Sequence, residues 1–111
     1  MLLFGRENLI KYNKAVRDKI PEIIKESGKN CNVKKLKDSE FLVELEKKLV
    51  EELSEYQESK NVDELADILE VIYRISELKG ITSDELDSIK NEKAKKRGKF
   101  DDNLFLVDSD K

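Results

Sequence analysis

Between Asp38 and Lys79 the chain carries two long amphipathic stretches separated only by a short polar joint around Lys60, and this limits its possible folds more than any other feature. In the first stretch, Leu42, Leu45, Leu49, Leu53 and Tyr56 recur at helical spacing behind Asp38 or Ser39, either of which can cap a helix. In the second, from Asn61 to Lys79, Leu65, Ile68, Leu69, Ile72 and Ile75 repeat the pattern. With so short a joint the chain must turn back on itself, so the expectation is an antiparallel helical hairpin.

The flanking segments follow the same style. Gly28, Gly80 and Gly98 each follow a helix-like block, where a left-handed terminating residue is useful. Ile20, Ile23 and Ile24 give a short first helix within Arg17–Ser27, with Pro21 tolerated in its first turn. Cys31 to Lys37 has too few apolar anchors for a period and reads as a connector. Thr82 and Glu85 form a capping box that opens a helix running toward Arg97, with Leu86 and Ile89 as its thin apolar face. Beyond Gly98, Leu104 to Val107 are expected to pair as a short strand or to pack over the bundle. The fold class is therefore all-α, an antiparallel bundle of about four helices in one domain over residues 1–111. Its core lies at about 12–100, with a C-terminal tail at 101–111.

Composition removes several chemistries. The chain has no histidine and one cysteine, Cys31, so a Cys/His zinc cluster, an imidazole triad and an internal disulfide are all excluded. Carboxylate oxygens are the ligands that remain, and they favour magnesium, with manganese as the substitute. The near balance of 22 basic and 25 acidic residues gives no global field for nucleic acid or membrane. The apolar run at Met1–Ile10 is broken by Gly5, Arg6 and Glu7, short of a signal core or a membrane span, so a cytoplasmic protein is expected.

The acidic residues show a pattern across the joint. Glu52/Glu55 and Glu64/Asp67 share one spacing, and in each pair the first residue lies about 70° from the middle of its apolar stripe and the second about 130°, in the same rotational sense. Antiparallel helices related by a two-fold axis preserve that sense, so equal offsets emerge on one rim. With the turn at Lys60, Glu55 and Glu64 lie about 6 to 8 Å from it and Glu52 and Asp67 about 10 to 12 Å, so the heights pair off. Composition alone supplies about five acidic pairs at this spacing, so the matched placement carries the argument. Glu64 also sits where a capping-box glutamate would reach back to Asn61. Glu46 falls within the apolar arc of its helix without belonging to the cluster, which suggests an oligomer contact.

These residues resemble a known group. E-E-L-S-E followed by E-L-A-D resembles the paired acidic motif of the all-α nucleoside triphosphate pyrophosphohydrolases. The opening Y-N-K-A-V-R-D-K-I-P-E-I-I, the segment E-L-A-D-I-L-E-V-I-Y and the closing E-K-A-K-K-R-G-K-F resemble its compact MazG-like branch, often labelled phosphoribosyl-ATP pyrophosphohydrolase-like, over roughly Tyr12 to Phe100. The resemblance implies Mg²⁺ held by Glu52, Glu55, Glu64 and Asp67. It also implies hydrolysis between the α and β phosphates to a nucleoside monophosphate and pyrophosphate, a chemistry suited to nucleotide-pool house-cleaning. Glu55 is the choice for the base that accepts the water proton. Eight residues separate the two motifs, fewer than is usual in MazG-type sequences, so less loop is available to cover a substrate.

Triphosphate also needs cations from the chain. Lys93, Lys96 and Arg97 follow one another at helical spacing, and likeness to the C-terminal basic motif of MazG favours Asn91, Lys93 and Arg97 as substrate contacts, with Lys96 a bystander. The same residues are also what an ordinary solvated helix end carries. Lys14, Arg17 and Lys19 form a second basic cluster, in which the likeness makes Arg17 a phosphate contact. Tyr56 and Tyr73 are expected in core or subunit contacts rather than stacked on a base. A homodimer or higher homo-oligomer is expected to complete the bundle. The alternative function is a non-enzymatic helical interaction or regulatory module that offers an acidic rim to a basic partner. Nucleic-acid binding through Lys90–Lys99 ranks below both, because that segment lacks interleaved aromatics.

Overall fold

The computed structural model describes residues 9–111, so most of the broken apolar run at Met1–Ile10 lies outside the described residues. Four helices follow in order, α1 (Ile20–Glu26), α2 (Asp38–Ser59), α3 (Val62–Leu78) and α4 (Ser83–Arg97), and no strand occurs among the described residues.

The α2–α3 hairpin forms as its joint requires. Lys60 takes a left-handed conformation (φ 58°) and donates its N–H to the Tyr56 carbonyl at 2.8 Å. Asn61 then caps α3, its side chain accepting the Asp63 N–H at 2.9 Å. Two residues thus reverse the chain. At the far end of α3, Gly80 (φ 86°) donates to Glu77 and Ile81 donates to Ser76, both at 2.9 Å, and this pair of bonds closes the helix. The Thr82–Glu85 capping box is present, with the Glu85 N–H donating to Thr82 Oγ1 at 3.1 Å and the Thr82 N–H to Glu85 Oε1 at 3.3 Å. The start of α2 differs from expectation. Neither Asp38 nor Ser39 caps it; Lys37 takes the cap position, and Glu40 reaches back to accept its N–H at 3.1 Å.

Ala15, Leu45 and Val71 are buried together, with Phe41, Leu49, Ile75 and Leu78 packed around them. The buried line on α2 therefore runs Leu45, Leu49, Glu52 rather than Leu45, Leu49, Leu53. Glu52 is only 6% exposed, while Leu53, Leu65 and Leu69 are 48%, 44% and 48% exposed. Both helices carry apolar residues over an arc wider than one neighbour can cover, and the hairpin buries one edge of that arc. Val43, Val50, Leu53, Val62, Leu65 and Leu69 stay on the surface.

Helix α3 packs against α2 and α4, and α1 packs closely against none of the other three. The chain is elongated, 71 × 32 × 28 Å with a radius of gyration of 19.5 Å, where a compact domain of this length has about 13 Å. Its accessible surface is 10381 Å², against about 6,300 Å² for a compact monomer of this mass. Among the described residues the tail forms no strand. Leu104 to Val107 are 81% exposed or more, and the described residues include no strand edge for them to pair with.

Candidate metal centre

The seam between α2 and α3 continues past its apolar part into carboxylates. One oxygen each from Glu52, Glu64 and Asp67 lie within 4.8 Å of one another, close to the hairpin turn. On α2, Glu52 is one step beyond Leu45 and Leu49; on α3, Asp67 precedes Val71 by one turn and Glu64 by two, so the helices that build the core also aim these three groups inward. Asn61 caps α3 through Asp63, so Glu64 is not used as a capping-box residue and its carboxylate joins the cluster instead.

The electrostatics of the trio are unfavourable without a cation. Glu52 Oε1 meets Lys48 Nζ at 3.5 Å, but Oε2 is buried and has no hydrogen-bond partner. Burial pushes the Glu52 carboxyl above its usual range, the charge of Glu55 adds to this, and Lys48 opposes it. Glu64 is also raised, first by desolvation and then by the charges of Glu55 and Asp67. An anionic oxygen buried without a donor is costly. A hard divalent ion coordinated by carboxylate oxygens would relieve the repulsion, and three such oxygens are a donor set that suits magnesium or manganese.

Of the four residues expected as ligands, three converge. Glu55 lies outside the trio and is exposed, although its charge acts on both Glu52 and Glu64. Arg17 reaches the cluster by another route, its Nη2 standing 2.8 Å from Asp67 Oδ1. Asn91, Lys93 and Arg97 are exposed on the second half of α4. Among the described residues no hydrogen bond or ion pair joins them to the acidic cluster, and the shallow grooves lined by Lys93 and Arg97 contain none of the four carboxylates. Glu46 is exposed. Tyr73 donates its hydroxyl to Asp87 at 3.1 Å and so ties α3 to α4, while Tyr56 lies under the Lys60 ammonium at 6.0 Å.

Three residues at the site were not singled out from the sequence. Lys48 pairs with Glu52 at i,i+4, a spacing legible on any helix. Lys14, noted before only as one of a basic cluster, binds Glu51 at 2.8 Å; this bond raises the pKa of the lysine and lowers that of the glutamate. Ala15, buried in the seam, had no sequence signal at all. Comparison of the chain with protein-family models, curated proteins and solved structures returns no match.

Proposed function

We propose that this chain is a Mg²⁺-dependent nucleoside triphosphate pyrophosphohydrolase of the MazG-like kind, releasing pyrophosphate and a nucleoside monophosphate. The observation that carries the reading is the trio Glu52, Glu64 and Asp67, three carboxylates within 4.8 Å with a buried, partnerless oxygen on Glu52. Held by these residues, magnesium would offset triphosphate charge and render a bound water more acidic. In this reading Glu55, exposed beside the trio and acting by its charge on Glu52 and Glu64, would take the proton of that water. The basic end of α4, with Asn91, Lys93 and Arg97, would supply phosphate contacts in this reading.

A homodimer or larger homo-oligomer is part of this reading. The surface in excess of a compact monomer is roughly 4,000 Å², and the uncovered leucine and valine faces of α2 and α3 are of the kind that obligate interfaces bury. Incubation with canonical and modified triphosphates in magnesium should release pyrophosphate, and Glu52→Gln or Asp67→Asn should reduce turnover by about a thousandfold or more, the several kcal/mol that metal-assisted charge stabilisation provides. Orthophosphate as sole product would contradict the reaction. A melting midpoint unmoved by millimolar magnesium would instead favour the interaction module with an acidic rim.

A further inference from the structure

The segment ahead of α1 is fastened across the hairpin at three points. Lys14 binds Glu51 of α2 at 2.8 Å, Ala15 is buried against Leu45 and Val71, and Arg17 binds Asp67 of α3 at 2.8 Å. The third fastening falls on a member of the carboxylate trio, whose Glu52 also carries a buried oxygen without a partner. We infer that Arg17 stands in for the divalent cation at Asp67 and exchanges it for an anionic ligand when the ion arrives, so that strap residues 14–17 act as a charge switch. The inference rests on the metal reading above.

The exchange follows from how the pair is held. Arg17 and Asp67 side chains are 54% and 40% exposed, and an ion pair so open to solvent is weak. A divalent ion facing three carboxylates has twice the charge and three attractive partners where Arg17 has one, so it displaces the guanidinium from Asp67. The displaced group cannot leave. Ala15 is fixed in the seam, and two residues of chain span at most about 7 Å. Arg17 therefore remains beside the filled site with its planar fork unpaired, a shape that matches a phosphate group bidentately. The cation should bind first and the phosphate ligand second.

Two ligands measured on one variant test this, because the switch predicts opposite signs. Free Mn²⁺ followed by electron paramagnetic resonance at low ionic strength should show Arg17→Gln binding the ion about three- to tenfold more tightly than the parent chain, since an exposed competitor is gone. Inorganic triphosphate titrated in saturating magnesium should bind the same variant about tenfold more weakly. Arg17→Lys keeps a charge near Asp67 and should restore most of the competition with the metal but only part of the phosphate affinity, because lysine lacks the bidentate fork. If the parent chain binds Mn²⁺ but Arg17→Gln binds it equally or more weakly, the strap is only a structural clamp and the switch is overturned. Tighter binding of both ligands overturns the second half, leaving Arg17 as a mere plug. If neither protein binds Mn²⁺, the metal reading itself fails, an outcome distinct from the other two.

Discussion

The two halves of the α2–α3 seam occupy equivalent positions on the same two helices, yet one is greasy and the other anionic. Away from the turn, Phe41, Leu45 and Leu49 face Val71, Ile75 and Leu78; near the turn, Glu52 faces Glu64 and Asp67. The first half holds the hairpin closed by removing apolar surface from water. In the second, like charges push the helices apart, and Glu52 is buried all the same. Packing in the far half therefore holds in place a cluster that could not assemble alone, as expected where a functional site draws on stability generated elsewhere.

Substitutions in each half can break this division of labour. Leu45→Ala empties the apolar half and should cost about 2 to 4 kcal/mol in urea denaturation, by the same amount with or without magnesium. A cost that magnesium abolishes would mean that the halves are not separable. Glu52→Gln should act in the opposite direction in metal-free buffer. Burial lifts the folded pKa of Glu52 above its unfolded value, so above the ordinary glutamate range the native chain holds more proton than the unfolded one and the group lowers stability as pH rises. The penalty is complete above the raised pKa and fades as pH falls from there to the ordinary glutamate range. The variant should therefore be more stable by about 1 to 2 kcal/mol at neutral pH without metal. That gain should vanish in acid, and magnesium should no longer raise the melting temperature. A destabilised variant under metal-free conditions would show that the carboxylate is satisfied after all. The smallest effect is expected at the joint, where Lys60→Gly relieves a left-handed side chain and should add about 0.5 to 1 kcal/mol, with both halves unaffected.

What the sequence disclosed was mostly local. The reversal at Lys60, the Thr82–Glu85 cap and the left-handed glycines 28, 80 and 98 each depend on a few neighbouring residues, and all are present. The convergence of Glu52, Glu64 and Asp67 was legible because a short joint and helical geometry fix both height and angle. Periodicity could not tell which edge of a wide apolar arc turns inward, so Leu53 and Leu65 were expected in the core and are half exposed. Arg17 and Asp67 lie fifty residues apart in sequence, and no pattern along a single chain links them. The tail at Leu104–Val107 reads as apolar and extended, but its partner is not written in its own residues.

The two-residue connection at Lys60 and Asn61 also acts as a pivot. When two rods splay from a common hinge, each point moves in proportion to its lever arm. Phe41 lies nineteen residues from Lys60 in sequence, about 28 Å of helix, whereas Glu64 lies within about two turns of the joint. Thermal breathing that opens the far end by ångströms moves the carboxylates less than half as far. A cation coordinated there would experience the quietest part of the hairpin, without needing any rigidity from the rest of the molecule.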